Sequence, residues 1–160
     1  MNRPAYGRKD RLIKEKRHDS YQSWTKLPEP TVCDNCGVVF SKGRWTWKES
    51  VEQAHKISCP ACRRQADNYP AGTIKISGVF YQDHKEEILN LIQNVEKQEK
   101  DERPMERIMD IQSDKKLTLV TTTGIHIARR IGEALSRAYN GVYSFNYANG
   151  DEHIQVTWHR

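Results

Sequence analysis

The chain is short of the residues that build cores. Leu, Ile, Val and Phe total 31 of 160 residues, about 19%, a level at which disorder competes with folding. The shortage is uneven: residues 1–31 hold 3 of the 31, residues 32–69 hold 6, and residues 70–160 hold 22. The last stretch can therefore bury a core, the middle one needs a second source of stability, and the first cannot fold alone.

Long apolar runs are missing. No segment approaches the roughly 20 apolar residues of a membrane span. The opening MNRPAYGRKDRLIKEKR lacks the apolar stretch of a secretion signal. A cytoplasmic location is the expectation, with no membrane partner. Cysteine is scarce too, four in all. Thiols stay reduced in the cytoplasm, so these four point to metal rather than disulfides.

Catalytic signatures are equally thin. There is no phosphate-cradling glycine loop, no nucleophile motif and no metal-ligand spacing among the six histidines. His84, His126, His153 and His159 fall in the apolar-rich part, where Asp110 or Asp114 could orient one of them. A surface or capping role for His126 is the simpler reading. The expectation is a non-enzymatic protein with no small-molecule substrate.

What is present begins with Cys33-Asp-Asn-Cys36-Gly37 and Cys59-Pro60-Ala61-Cys62. Two C-x2-C pairs with 22 residues between them suit a four-cysteine zinc site. Each pair turns two thiolates toward a shared ion, and four thiolates leave no open position to activate water. One structural zinc is therefore expected, supplying stability to a segment with little core of its own. An iron–sulfur centre or a redox C-x-x-C pair are the other readings of the same residues. Val38–Ser41 and Arg44–Lys48 flank Lys42-Gly43 as the hairpin of a zinc ribbon.

Charge is the second signal. Residues 1–66 carry 14 Lys and Arg against 7 Asp and Glu, and residues 67–160 carry 12 against 14. A net +7 beside a net −2 suggests a polyanion partner for the front of the molecule. In residues 1–31, Arg3, Arg8, Lys9, Arg11, Lys14, Lys16 and Arg17 alternate with Tyr6, Tyr21 and Trp24, ahead of Pro28 and Pro30. This reads as a basic arm that orders on a partner, residues 9–20 forming a helix at most when bound. On the ribbon, Lys42, Arg44, Lys48, Lys56, Arg63 and Arg64 surround Trp45 and Trp47. Those cations suit phosphates. The tryptophans either stack on unpaired bases or cover the ribbon's thin core.

From residue 70 the pattern is regular. Alternation predicts a strand over 72–80, and Ile88, Leu91, Ile92 and Val95 predict a helix over 84–101. Arg107–Gln112 and Lys116–Thr122 read as two strands joined at Ser113–Lys115. Residues 124–139 read as a second helix, capped by Thr123 and stopped by Asn140-Gly141. Tyr143/Phe145/Tyr147 and Ile154/Val156/Trp158 alternate around Asn149-Gly150, a hairpin signal. The order β-α-β-β-α-β-β predicts an α+β, ferredoxin-like βαββαβ domain with one added strand. The organisation is thus a basic arm at 1–31, a zinc ribbon at 32–69 and a ferredoxin-like domain at 70–160. The aromatic row Tyr143/Phe145/Tyr147 serves either as core or as an RNA platform.

A four-cysteine ribbon followed by an α+β unit containing TTTGIHIARRIGEAL and a closing IQVTW resembles the zinc-ribbon region of the large-ribosomal-subunit export adaptor family of eukaryotes and archaea. It is more similar still to short bacterial proteins of that layout. The resemblance covers roughly residues 33–160 and departs in having only four cysteines and no long C-terminal extension, so nuclear export is not implied. It implies a ribosomal partner, ribosomal RNA or ribosomal proteins, in subunit assembly or in stress-time occupation of the ribosome. A zinc-ribbon DNA-binding regulator is the alternative class, and an RNA-processing enzyme with a histidine base a third.

Overall fold

The computed structural model describes Tyr21, residues 27–49, residues 52–148, Gly150 and residues 152–160. Arg3, Arg8, Lys9, Arg11, Lys14, Lys16 and Arg17 of the basic arm lie outside the described residues.

The fold is α+β and contains two mixed sheets. The first comprises β1 (Thr31–Cys33), β2 (Val39–Ser41), β3 (Arg44–Thr46) and β4 (His55–Ile57), in the order β3-β2-β1-β4. Its neighbours are antiparallel except β1 and β4, which run parallel. Lys42 and Gly43 join β2 to β3 at φ of 53° and 77°. That mirror-image turn follows the natural twist of the strands, and glycine adopts it without strain. Helix α1 (Pro60–Asp67) follows, with Pro60 in its first turn and Cys59 as its cap.

The second sheet contains β5 (Gly72–Ser77), β6 (Ile108–Ser113), β7 (Leu117–Thr122), β8 (Val142–Ala148) and β9 (His153–His159). Helices α2 (Val79–Asp83), α3 (Lys85–Glu102) and α4 (Ile125–Tyr139) connect them. Ile74 and Ile76 of β5, Val120 of β7 and Ile154, Val156 and Trp158 of β9 pack with Ile88 and Ile92 of α3 and with Ile127, Ile131 and Leu135 of α4 in one buried cluster. The two long helices thus cover one face, while Lys75, Gln155 and Thr157 stay exposed on the other. None of the helices among the described residues is long and apolar enough to cross a membrane.

Three expectations change. The strand predicted over 72–80 ends at Ser77, and Phe80 belongs to the short helix α2. Gly78 makes the break at φ 114°, where a Cβ would lie 2.1 Å from the Arg160 carbonyl oxygen.

Thr123 does not cap α4. The cap residue is Gly124, and the Glu106 carboxylate accepts from the Ile127 amide at 3.1 Å.

The strand order is β6-β7-β5-β9-β8, with β5 parallel to β9. A ferredoxin-like layout with an added outer strand would put β8 beside β5 instead. Burial accompanies the inversion: Ile154, Val156 and Trp158 of β9 are at most 1% exposed, whereas Phe145 and Tyr147 of β8, on the same face, are 42% and 40% exposed. The central position covers the Ile154/Val156/Trp158 row on both flanks and takes it out of water more completely than an edge could.

Candidate metal centre

Cys33 ends β1, and the chain turns back at once: the Gly37 amide donates to the Cys33 carbonyl at 3.0 Å, and the Cys33 amide to the Val38 carbonyl at 2.8 Å. Gly37, at φ 81°, makes that turn without Cβ strain. This carries Cys36 back beside Cys33. The second pair uses a helix start instead. Cys59 Sγ accepts from the Cys62 amide at 3.4 Å, and the Cys59 amide donates to Cys33 Sγ at 3.3 Å.

All four sulfurs lie within 4.8 Å of one another. Cys33–Cys62 and Cys36–Cys59 are each separated by 3.8 Å, and all four thiols are free of disulfides. Metal–sulfur bonds near 2.3 Å in a tetrahedron demand sulfur–sulfur edges of about 3.8 Å. The cluster is therefore compatible with one tetrahedral ion such as zinc, held by four thiolates.

The surroundings supply what such a group needs. Burial opposes the Cys33 thiolate, but amide donation from Cys59, Cys36 and Asn35 outweighs it and brings the thiol down to about 6. Burial pushes Cys59 and Cys62 up. Four thiolates around a divalent ion leave two surplus negative charges, and one cation meets them. Arg107, 6% exposed, donates from Nη2 to Cys36 Sγ at 3.2 Å and from Nη1 to Cys62 Sγ at 3.5 Å, with Cys59 Sγ at 3.8 Å from Nη2. Burial opposes its charge, but the neighbouring sulfurs prevail and raise its pKa further. Its Nε donates to the Pro104 carbonyl at 2.7 Å, and its own amide to Thr123 Oγ1 at 2.8 Å. Thr123, expected as a helix cap, instead anchors the segment that delivers this arginine.

Arg107 escaped sequence reading, which saw only the start of a strand. No local signal marks it, since 71 positions separate it from Cys36.

The aromatic and basic candidates divide. Trp45 is half-buried, packing on the cysteine cluster and on Phe40 at 5.3 Å. Trp47 is 39% exposed; its Nε1 donates to the Lys100 carbonyl at 2.7 Å, and its ring lies 5.3 Å from the Arg107 guanidinium. Lys42, Arg44, Lys48, Lys56 and Arg63 are exposed. Arg64 is 2% exposed, its guanidinium 4.4 Å from the Tyr21 ring centre, so it does not belong to the exposed set. An open cleft of about 580 Å³ separates Arg44 and Trp45 from Glu102–Glu106.

The four histidines considered as bases are dispersed. His84 bonds the Phe80 carbonyl, His126 pairs with Glu99 at 2.9 Å, His153 meets Thr73 and Pro70, and His159 meets Ser77. Asp110 and Asp114 accept from nearby backbone amides.

Neither a protein-family model nor a curated protein sequence matches the chain.

Proposed function

We propose that the protein is a non-catalytic factor that binds ribosomal RNA on the ribosome, acting in subunit assembly or in stress-time occupation. In this reading the metal is zinc and the first sheet is a zinc ribbon. The second unit is a split βαβ layout whose last hairpin has turned inward.

One observation carries the proposal. The metal unit commits its cysteines and small core to folding and turns Lys42, Arg44, Lys48, Lys56 and Arg63 outward. Exposed cations on a rigid frame neutralise phosphates, and Trp47, partly exposed among them, offers part of an aromatic face. The ribosome as partner rests on the sequence resemblance.

Co-sedimentation with purified ribosomal subunits at rising salt tests it. The wild-type chain should pellet with subunits, and the triple variant Lys42→Glu, Arg44→Glu, Lys48→Glu should stay in the supernatant at the same salt. Loss of neither binding nor salt sensitivity in that variant would sink the ribbon as the contact surface. Tight duplex DNA binding with no subunit binding would favour the regulator instead.

A further inference from the structure

The two edges of the five-stranded sheet are finished differently. Edge strand β6 has a bulge between Ile108 and Asp110. Two of its amides are already taken by carboxylates, Ile108 by Glu96 at 2.5 Å and Ile111 by Asp110 at 2.9 Å. Bulges and charges of this kind keep an edge from pairing with another chain.

Edge strand β8 has none of these devices. Its sequence VYSFNYA holds no charge, no proline and no glycine. It pairs with β9 in unbroken register from Val142–His159 to Ala148–His153. No further strand lies beyond it among the described residues. Val142, Phe145 and Tyr147 are 67%, 42% and 40% exposed. A long, uncharged, apolar edge in unbroken register is a template for another strand.

We propose that β8 pairs antiparallel with β8 of a second copy of this chain, about a two-fold axis through Phe145, joining two five-stranded sheets into one. The strand complements itself in this register. Phe145 faces Phe145, Tyr143 faces Tyr147 and Ser144 faces Asn146, while Val142 faces Ala148. Within one chain the Tyr143, Phe145 and Tyr147 rings already stand 5.9 Å apart in sequence along one face. The two-fold axis extends that ladder with aromatic cross-strand pairs, which stabilise antiparallel sheets. A dyad at any other residue shortens the ladder.

Charge favours a second copy over a nucleic-acid strand. The chain carries +5, yet β8 is neutral, so two copies meet there without repulsion. Arg129, 5.0 Å from the Phe145 ring, has Glu133 at 4.0 Å. An isologous contact of this kind closes at two chains and leaves no growing end.

Light scattering and sedimentation equilibrium of the full chain, without RNA, test this independently of the proposed function. Wild type should have twice the 18.7 kDa chain mass. Phe145→Lys and Phe145→Glu should each weaken association about tenfold or more, because like charges then face each other across the axis. Unchanged circular dichroism and metal content will show that both variants fold. An equimolar mixture of the two should recover the doubled mass, since Lys meets Glu only if position 145 faces itself. A monomeric wild type at all soluble concentrations would overturn the proposal, as would a dimer indifferent to both substitutions or a mixture that stays monomeric. A monomer whose affinity for single-stranded RNA falls on Phe145→Ala would overturn it in favour of a base-stacking edge.

Discussion

Arg107 Nη2 lies 3.2 Å from Cys36 Sγ, across 71 positions of sequence. The contact sets a cation from the flank of β6 against sulfurs from the β1–β2 turn and the start of α1, so the cysteine cluster is tied to the second sheet by charge. Arg107→Met should leave the thiolate charge uncompensated and lower metal affinity about 10- to 100-fold, the usual range for residues that support metal ligands. Arg107→Lys should recover only part, because an ammonium cannot fork between several sulfurs. Competition with a chelator of known affinity measures both. Wild-type affinity in Arg107→Met would make the contact incidental.

Metal content should be one zinc per chain by elemental analysis. Cys33→Ser or Cys62→Ser should lose it and melt residues 32–66, whose buried hydrophobic core, among the described residues, consists of a few small side chains such as Val38 and Ala61. The second sheet, with its own buried cluster, should remain folded. Stoichiometric zinc in both variants would refute the four-ligand assignment.

Metal affinity should rise with pH, because the ion displaces protons from thiols. Cys59 and Cys62, both pushed up by burial, still hold protons at pH 8. They should contribute about two log units of affinity per pH unit near neutrality. Cys33, brought down to about 6, is already a thiolate there and should add to the slope only as pH falls toward 6. In the metal-free protein the signs separate. Cys33 stabilises the fold above its usual 9.0 and loses that contribution as pH falls through about 6. Cys59 and Cys62 favour the fold below the usual 9.0 and lose that contribution as pH rises through their raised values. Calorimetric titrations between pH 6 and pH 8, in buffers of different ionisation enthalpy, count the protons. A flat profile would contradict the raised values.

Deleting residues 1–20 removes seven of the chain's cations, from Arg3 to Arg17. If most of them meet phosphate, the slope of log affinity for ribosomal subunits against log salt should become shallower by several units, at about 0.7 per single-strand contact or 0.9 per duplex contact. Trp47→Ala should weaken binding with little change in slope, because stacking exchanges no ions. An arm whose removal changes neither affinity nor slope has no part in binding.

Legibility followed sequence distance. The cysteine pairs and the Lys42-Gly43 turn are local patterns, and their structures follow from neighbours within a few residues. So do the alternation of Ile74 and Ile76 and the stripe of Ile127, Ile131 and Leu135. The hairpin signal at Asn149-Gly150 made β8 and β9 neighbours but was silent on which of them meets β5. That choice depends on Ile154, Val156 and Trp158 burying more completely than the β8 row, a comparison settled only when helices α3 and α4 are in place. Glu106 at the start of α4 and Arg107 at the thiolates were invisible for a related reason. Each acts on a partner that only the tertiary fold brings within reach.

The inward turn of the last hairpin also governs assembly in time. β5 pairs in parallel with β9, joining Ser77 to His159 across 82 positions, and every other strand of the sheet precedes β9 in the chain. Early in folding, β5 to β7 can associate with α3, but β8 has no place in the sheet until its hairpin partner β9 docks on β5. The uncharged β8 strand is meanwhile exposed on both sides. Pairings of such long range close slowly. Until β5 and β9 close, the β8–β9 hairpin has no berth on the sheet, and that is when the chain is most exposed to pairing with the wrong strand.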